Sequence, residues 1–293
     1  MRRVLVTGAA GMLGSEVLLV VPQGIEAVGT DLRGESPGLR APGVDLADAA
    51  ALERLFREHG PFAGVIHCAA WTAVDLAEEQ PAAAERANVE ACRVLAEASA
   101  RAAIPLVVVS TDFVFDGTGS RPYREDDPVA PLSVYGRTKL EGERAALAAH
   151  PRGTRIVRTQ WLYGPRGKHF PGTIHALAKT KSELKVVDDQ TGSPTTTLEL
   201  APALWDVHAR GEAGIYHAAC EGSCTWNGLA RATLELSGIG YVKVLPCSTA
   251  EFPRPARRPA YSVLDCSKLA RLRGKRLLPW REALARFLEK HPL

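Results

Sequence analysis

Short apolar runs alternate with amphipathic stretches through the first half of the chain. Residues 2–7 contain Val4-Leu5-Val6, a run too short for a helix, and predict a strand. Gly8-Ala9-Ala10-Gly11-Met12-Leu13-Gly14 follows, and residues 16–21 continue as helix. A second strand is expected over residues 25–30, ending at Asp31, then a helix over 47–58 and a buried strand at Gly64-Val65-Ile66-His67. Between residues 81 and 103 apolar positions recur three and four apart, the period of a long helix. Leu106-Val107-Val108-Val109 shows no alternation, as expected of a strand covered on both faces. A helix over 135–149 and a strand over 155–158 continue the series.

Strand and helix in regular alternation predict an α/β protein built on a Rossmann-type, doubly wound parallel sheet. Such a sheet binds ligands at the carboxyl ends of its strands, where Gly8, Asp31, Cys68 and Thr111 fall. The second half is less regular. Helices are expected near residues 173–181, 198–209, 226–237, 267–272 and 280–290, extended segments near 185–187 and 214–218, and a proline- and arginine-containing surface loop over 253–259. The division expected is a dinucleotide-binding domain over residues 1–160. A smaller substrate lobe then covers 161–293, with some of its segments returning to the first domain.

Composition narrows the class. The 293 residues, 46% hydrophobic and 24% charged, suffice for a full core, and no stretch is long and apolar enough to span a bilayer. A net charge of +3 with dispersed basic residues argues against nucleic acid as a partner. The six cysteines form no CxxC pair and read as reduced thiols, which with the short N-terminal apolar run favours a cytoplasmic protein.

Gly8, Gly11 and Gly14 have the spacing GxxGxxG between a strand and a helix, the context of a dinucleotide pyrophosphate turn that includes Met12 and Leu13. Asp31 suits an adenosine ribose and favours NADH, whereas Arg33 suits the 2′-phosphate of NADPH, so the choice stays open. Asp45 and Leu46 are candidates for the adenine edge, with helix capping by Asp45 the alternative. Cys68, Ala69 and Ala70, at a strand end, complete the candidate cofactor contacts. Tyr135 and Lys139 lie four apart, on one face of a helix. With Thr111 they supply what ketone reduction needs: a hydroxyl to orient the carbonyl, an acid to protonate its oxygen, and a cation expected to lower the phenol pKa and to hold the nicotinamide ribose.

The glycine turn with Thr111, Tyr135 and Lys139 resembles the extended short-chain dehydrogenase/reductase superfamily. Residues 69–75 (AAWTAVD), 110–117 (STDFVFDG), 189–195 (DQTGSPT) and, more loosely, 258–265 (RPAYSVLD) resemble the dTDP-4-dehydrorhamnose reductase family within it. That resemblance implies hydride transfer from NADPH or NADH to carbon 4 of a dTDP-4-keto-6-deoxyhexose, with Tyr135 as proton donor. It implies Thr111, Asp112, Phe113 and Trp161 near the sugar and Arg258 at the substrate diphosphate, a match of guanidinium fork to phosphate oxygens. The family often carries Tyr in place of Phe113 and Asn in place of His67, which leaves the sugar open. A related dehydratase would carry an acid where Phe113 stands, so reduction is favoured over dehydration. Some members dimerise through magnesium bound by acidic residues. Glu16 and, in part, Glu199 match such positions, too few for a metal site, so no metal is assigned and a homodimer is left open. Two further readings remain: a non-catalytic NADP-binding subunit resembling the β subunit of methionine adenosyltransferase, and a nucleotide-sugar epimerase.

Overall fold

A computed structural model describes residues 1–33 and 38–293. Seven parallel strands form the central sheet: β1 (Arg2–Thr7), β2 (Ile25–Asp31), β3 (Leu39–Pro42), β4 (Phe62–His67), β5 (Leu106–Thr111), β6 (Thr154–Thr159) and β7 (Gly214–His217). Their spatial order is β7-β6-β5-β4-β1-β2-β3. The chain runs outward from β1 to β3 and then crosses back to β4, so the switch point lies between β1 and β4, where a doubly wound sheet opens its crevice. Val4, Leu5, Val6, Val65, Ile66, Leu106, Val107 and Val108 are all buried, which explains why these strands lack alternation: helices cover both faces.

One core lies between one face of the sheet and the helices Met12–Leu19 and Thr197–Arg210, with Val6, Val17, Leu200 and Leu204 among its members. The other packs Leu5, Leu52, Leu95 and Val108 beneath the helices Ala49–His59 and Ala91–Arg101. Thus the Thr197–Arg210 helix and β7, from the second half of the chain, belong to the sheet layer. The helices Phe170–Ala178 and Trp226–Leu236 help build a separate cluster around Ile174, Leu184, Ala230 and Val244, in which Glu183–Val187 pairs in parallel with Lys243–Cys247.

The long helix expected over 81–103 is present with a change of pitch inside it. Pro81–Glu85 is α-helical, Arg86–Glu90 is a π-turn and Ala91–Arg101 resumes the α-helix. The π-turn turns Asn88 inward, where it is 1% exposed.

Candidate active site

The sheet's carboxyl edge opens into a cleft of about 950 Å³, and every candidate cofactor, catalytic and substrate residue named from the sequence lines it. The glycine turn forms its floor. Gly8 adopts φ +65°, and a Cβ there would stand 2.6 Å from the Ala69 nitrogen, while one on Gly14 would stand 2.0 Å from the Gly8 oxygen. Only glycine lets this turn press against the strand end and its own helix. Gly11 caps the Met12–Leu19 helix without offering a side-chain acceptor, which leaves the first-turn N–H groups available to an anion. These features fit a dinucleotide pyrophosphate.

Asp31 is fixed at the end of β2. Its Oδ2 accepts from the Ala10 N–H at 2.9 Å and its Oδ1 from the Arg33 N–H at 3.1 Å. Asp45 accepts from the Ala47 N–H and from the Arg86 guanidinium at 2.6 Å. It does not cap the helix; Asp48 does, accepting from Ala50 and Ala51.

Two close approaches bring the Tyr135 and Lys139 helix to the strand ends. In Val134–Ala149, capped by Ser133, a Cβ on Gly136 would stand 2.3 Å from the Phe113 oxygen and one on Gly142 2.1 Å from the Asn88 oxygen. Both glycines are needed for the helix to dock this closely against the turn after β5 and against the π-turn. Thr111 ends β5, and its hydroxyl donates to Asp112 Oδ1 at 3.1 Å and accepts from the Phe113 N–H at 3.2 Å. Phe113 stands edge-on to the Tyr135 ring, centroids 5.5 Å apart.

Burial pushes the Tyr135 phenol up to about 12, with the Thr111 hydroxyl opposing and the Asp112 carboxylate adding to the rise. The lowering expected from Lys139 does not occur: the groups acting on the phenol are its buried surroundings, Thr111 and Asp112. Lys139 Nζ instead donates to the Val109 carbonyl at 2.8 Å, and burial lowers its own pKa. Its charge is felt by His67, Cys68 and Cys92. Asp112 is 1% exposed; burial raises its carboxyl to about 7, against the Ser262 and Thr111 hydroxyls. Its Oδ2 has no partner among the described residues.

Several supporting residues were not foreseen. Asn88 Oδ1 accepts from the Trp71 N–H at 2.9 Å, and its Nδ2 donates to Thr138 Oγ1 at 3.0 Å, tying the loop after β4 to the turn of helix between Tyr135 and Lys139. An asparagine inside an apolar helical pattern was the available signal. Ser110 and Arg158, on neighbouring strands, both bind the buried Glu143 of the Tyr135 helix. His67, treated from the sequence as bearing on the sugar, lies inside the sheet. Its Nδ1 is 2.7 Å from the Thr7 hydroxyl, which accepts from the Ala69 N–H, and burial holds the ring neutral with a pKa of about 3. It braces the loop after β4 and does not line the cleft.

Trp161 lines the cleft with φ +49° and stacks on Trp226 at 3.6 Å between ring centroids, so one face of its indole is already covered. Arg258 also lines the cleft and is bound to Asp75 at 3.0 Å. All six cysteines are free. Among the described residues no group of three or more His, Cys, Asp or Glu side chains is placed to hold a metal, and no helix is long and apolar enough to cross a membrane. Glu16 sits near Arg166, Lys290 and His291, which oppose the rise in its pKa caused by burial.

A family model described as RmlD substrate binding domain matches residues 1–292. The dTDP-4-dehydrorhamnose reductase of Streptomyces griseus is 44% identical over 287 residues, covering 96% of this chain and 91% of that one. A crystal structure of the Clostridium acetobutylicum dTDP-4-dehydrorhamnose reductase superimposes with a TM-score of 0.91 at 39% identity, covering 99% of this chain and all of that one. That of the Bacillus anthracis enzyme, in complex with NADP, does so with a TM-score of 0.90 at 33% identity and the same coverage. Agreement of this kind along the entire length assigns the chain to the dTDP-4-dehydrorhamnose reductase family.

Proposed function

We propose that this protein reduces the 4-keto group of a dTDP-4-keto-6-deoxyhexose, using NADPH or NADH, in deoxysugar biosynthesis. The observation that carries this reading is the meeting of Thr111, Tyr135 and Lys139 in one cleft with an uncapped, glycine-lined helix start. Relatives named for this reduction, and an NADP-bound neighbour, support it.

When bound, the nicotinamide supplies the hydride that carbon 4 of the sugar receives. Tyr135 donates its phenolic proton to the ketone oxygen, so the carbonyl becomes an alcohol. The phenol carries its proton throughout the neutral range, the form a donor needs, while burial, by raising its pKa, makes it a weaker acid than a free phenol. The Thr111 hydroxyl orients the carbonyl beside the phenol. Lys139, held by the Val109 carbonyl, presents its remaining N–H donors to the nicotinamide ribose. Phe113 and the stacked Trp161 shield the reacting carbon from water. Residues 1–160 hold the cofactor and place Thr111, Phe113 and Tyr135 at the sugar, while residues beyond 160 supply the further sugar-facing walls, with Arg258 at the substrate diphosphate.

Purified protein is expected to oxidise NADPH or NADH when given dTDP-4-keto-6-deoxyhexoses. Tyr135→Phe is expected to cut kcat by about 100-fold or more, with cofactor affinity unchanged, because it removes the acid and keeps the ring. Cofactor binding without turnover across a panel of 4-ketosugar nucleotides would sink the enzymatic reading and favour a binding subunit.

A further inference from the structure

The segment of residues 253–259 contains three prolines and three arginines, and Arg258 brings it to the edge of the cleft. Its two ends are anchored. Before it, Ser248 and Glu251 form a reciprocal capping box. After it, the Thr191 N–H donates to the Ala260 oxygen at 2.8 Å and the Tyr261 N–H to the Gly117 oxygen at 3.2 Å. Between these anchors, among the described residues, one side chain from elsewhere bonds the segment: Asp75, at the start of the helix Val74–Glu79. Asp75 Oδ1 accepts from the Ala256 N–H at 3.3 Å, and its Oδ2 accepts from Arg258 Nη2 at 3.0 Å, with Arg254 Nε at 3.6 Å. Arg258 Nη1 also donates to the Ala256 oxygen at 2.8 Å, so backbone and guanidinium are held by the same carboxylate.

We propose that Asp75 is the residue that positions Arg258 for the diphosphate of the substrate, a role that rests on the nucleotide-sugar reading above. Two guanidiniums face one carboxylate, so the cluster keeps one positive charge for an anionic ligand. An arginine on a loop loses rotamer freedom when it grips a phosphate, and a fork already fixed by Asp75 has made that loss beforehand. The donors of Arg258 not used by Asp75 or Ala256 remain available in the fixed plane. Asp75 itself stays ionised: burial acts to raise its pKa, and the bonds from Arg258 and Ala256 with the charge of Arg254 outweigh it.

Positioning and simple electrostatics predict opposite outcomes when the carboxylate is removed. Asp75→Asn makes the cluster more positive, which on charge alone tightens anion binding. If Asp75 acts by orienting Arg258, the same variant weakens it. The test measures dTDP affinity by calorimetry, KM and kcat for the ketosugar, and NADPH affinity, for wild type, Asp75→Asn, Arg258→Ala and the double variant. Expected are a rise of about ten-fold in the dTDP Kd and the sugar KM of Asp75→Asn, equivalent to one charge-assisted hydrogen bond. Unchanged NADPH affinity is expected to show an intact fold. In the Arg258→Ala background the Asp75 substitution is expected to add nothing, and Asp75→Glu to recover most of the dTDP affinity.

Unchanged or tighter dTDP binding in Asp75→Asn, or additive losses in the double variant, overturns the positioning role. So does failure of Asp75→Glu to recover affinity while NADPH still binds. Absence of dTDP binding and turnover in the wild type overturns the nucleotide-sugar reading itself, and the positioning role with it.

Discussion

Asp112 and Tyr135 are neighbours in a buried site, and burial drives both towards their neutral forms. For Tyr135 that state is the one a proton donor needs. For Asp112 it has a consequence for stability. Its carboxyl titrates near 7 in the folded protein, above the usual value of 3.8, so the folded state holds the proton more tightly than the unfolded state. The stability this adds is fully present below the unfolded pKa and is lost as pH rises through the folded one. Asp112→Asn cannot ionise and escapes that loss. The difference in Tm between this variant and the wild type should therefore shift in the variant's favour from pH 4 to pH 7; a difference that stays constant across that window would contradict the assigned protonation. The glycine turn, Thr111 and the Tyr135 and Lys139 pair could be read from the chain because their requirements are local. Asn88 and Asp75 could not, because their partners lie up to 183 residues away.

Among the elements, the strand, turn and helix at the N-terminus depend on backbone contacts too close to admit a side chain. A methyl group on Gly14 would meet the Gly8 oxygen at 2.0 Å, and neither backbone can yield without moving the turn. Gly14→Ala is expected to lower NADPH affinity by about ten-fold or more, since a displaced turn loses at least one charge-assisted N–H contact. Calorimetry on the variant checks this, and wild-type affinity would show that the turn tolerates the shift. The helix over 81–103 teaches a related lesson. Its apolar period correctly announces a helix, but the period cannot show that Arg86–Glu90 widens to a π-turn. That widening places Asn88 between the loop after β4 and the Val134–Ala149 helix.

Across the whole molecule, the sheet and the Val134–Ala149 helix are joined by a buried ion pair. Arg158 on β6 and Glu143 on the helix are each 2% exposed and 2.7 Å apart, with Ser110 on β5 donating to the same carboxylate. Removing one partner leaves a charge with neither water nor a counterion. Glu143→Gln is expected to cost about 3–5 kcal/mol of folding stability, measured by denaturant titration. A loss below about 1 kcal/mol would match an exposed pair and refute this account. Ser110 precedes Thr111 on β5, and Glu143 lies on the helix of Tyr135 and Lys139, so the candidate site and this buried pair share the same elements.

By itself, the chain's pattern determined the parallel α/β sheet, the glycine turn between the first strand and helix, and the placement of Tyr135 and Lys139 on one helix, because hydrophobic period, glycine sterics and helical spacing operate within a few residues. Only the tertiary structure decided that β7 joins the main sheet from the second half of the chain, that Trp161 stacks on Trp226, that His67 braces a loop inside the sheet, and that Asp75 holds Arg258. Those pairings depend on which distant segments meet, and the entropic cost of closing a loop grows so slowly with its length that sequence separation gives little guide to the partner. The selection among partners is made by packing: two glycines bring the Val134–Ala149 helix to the strand ends, and the surrounding side chains take their places around that contact.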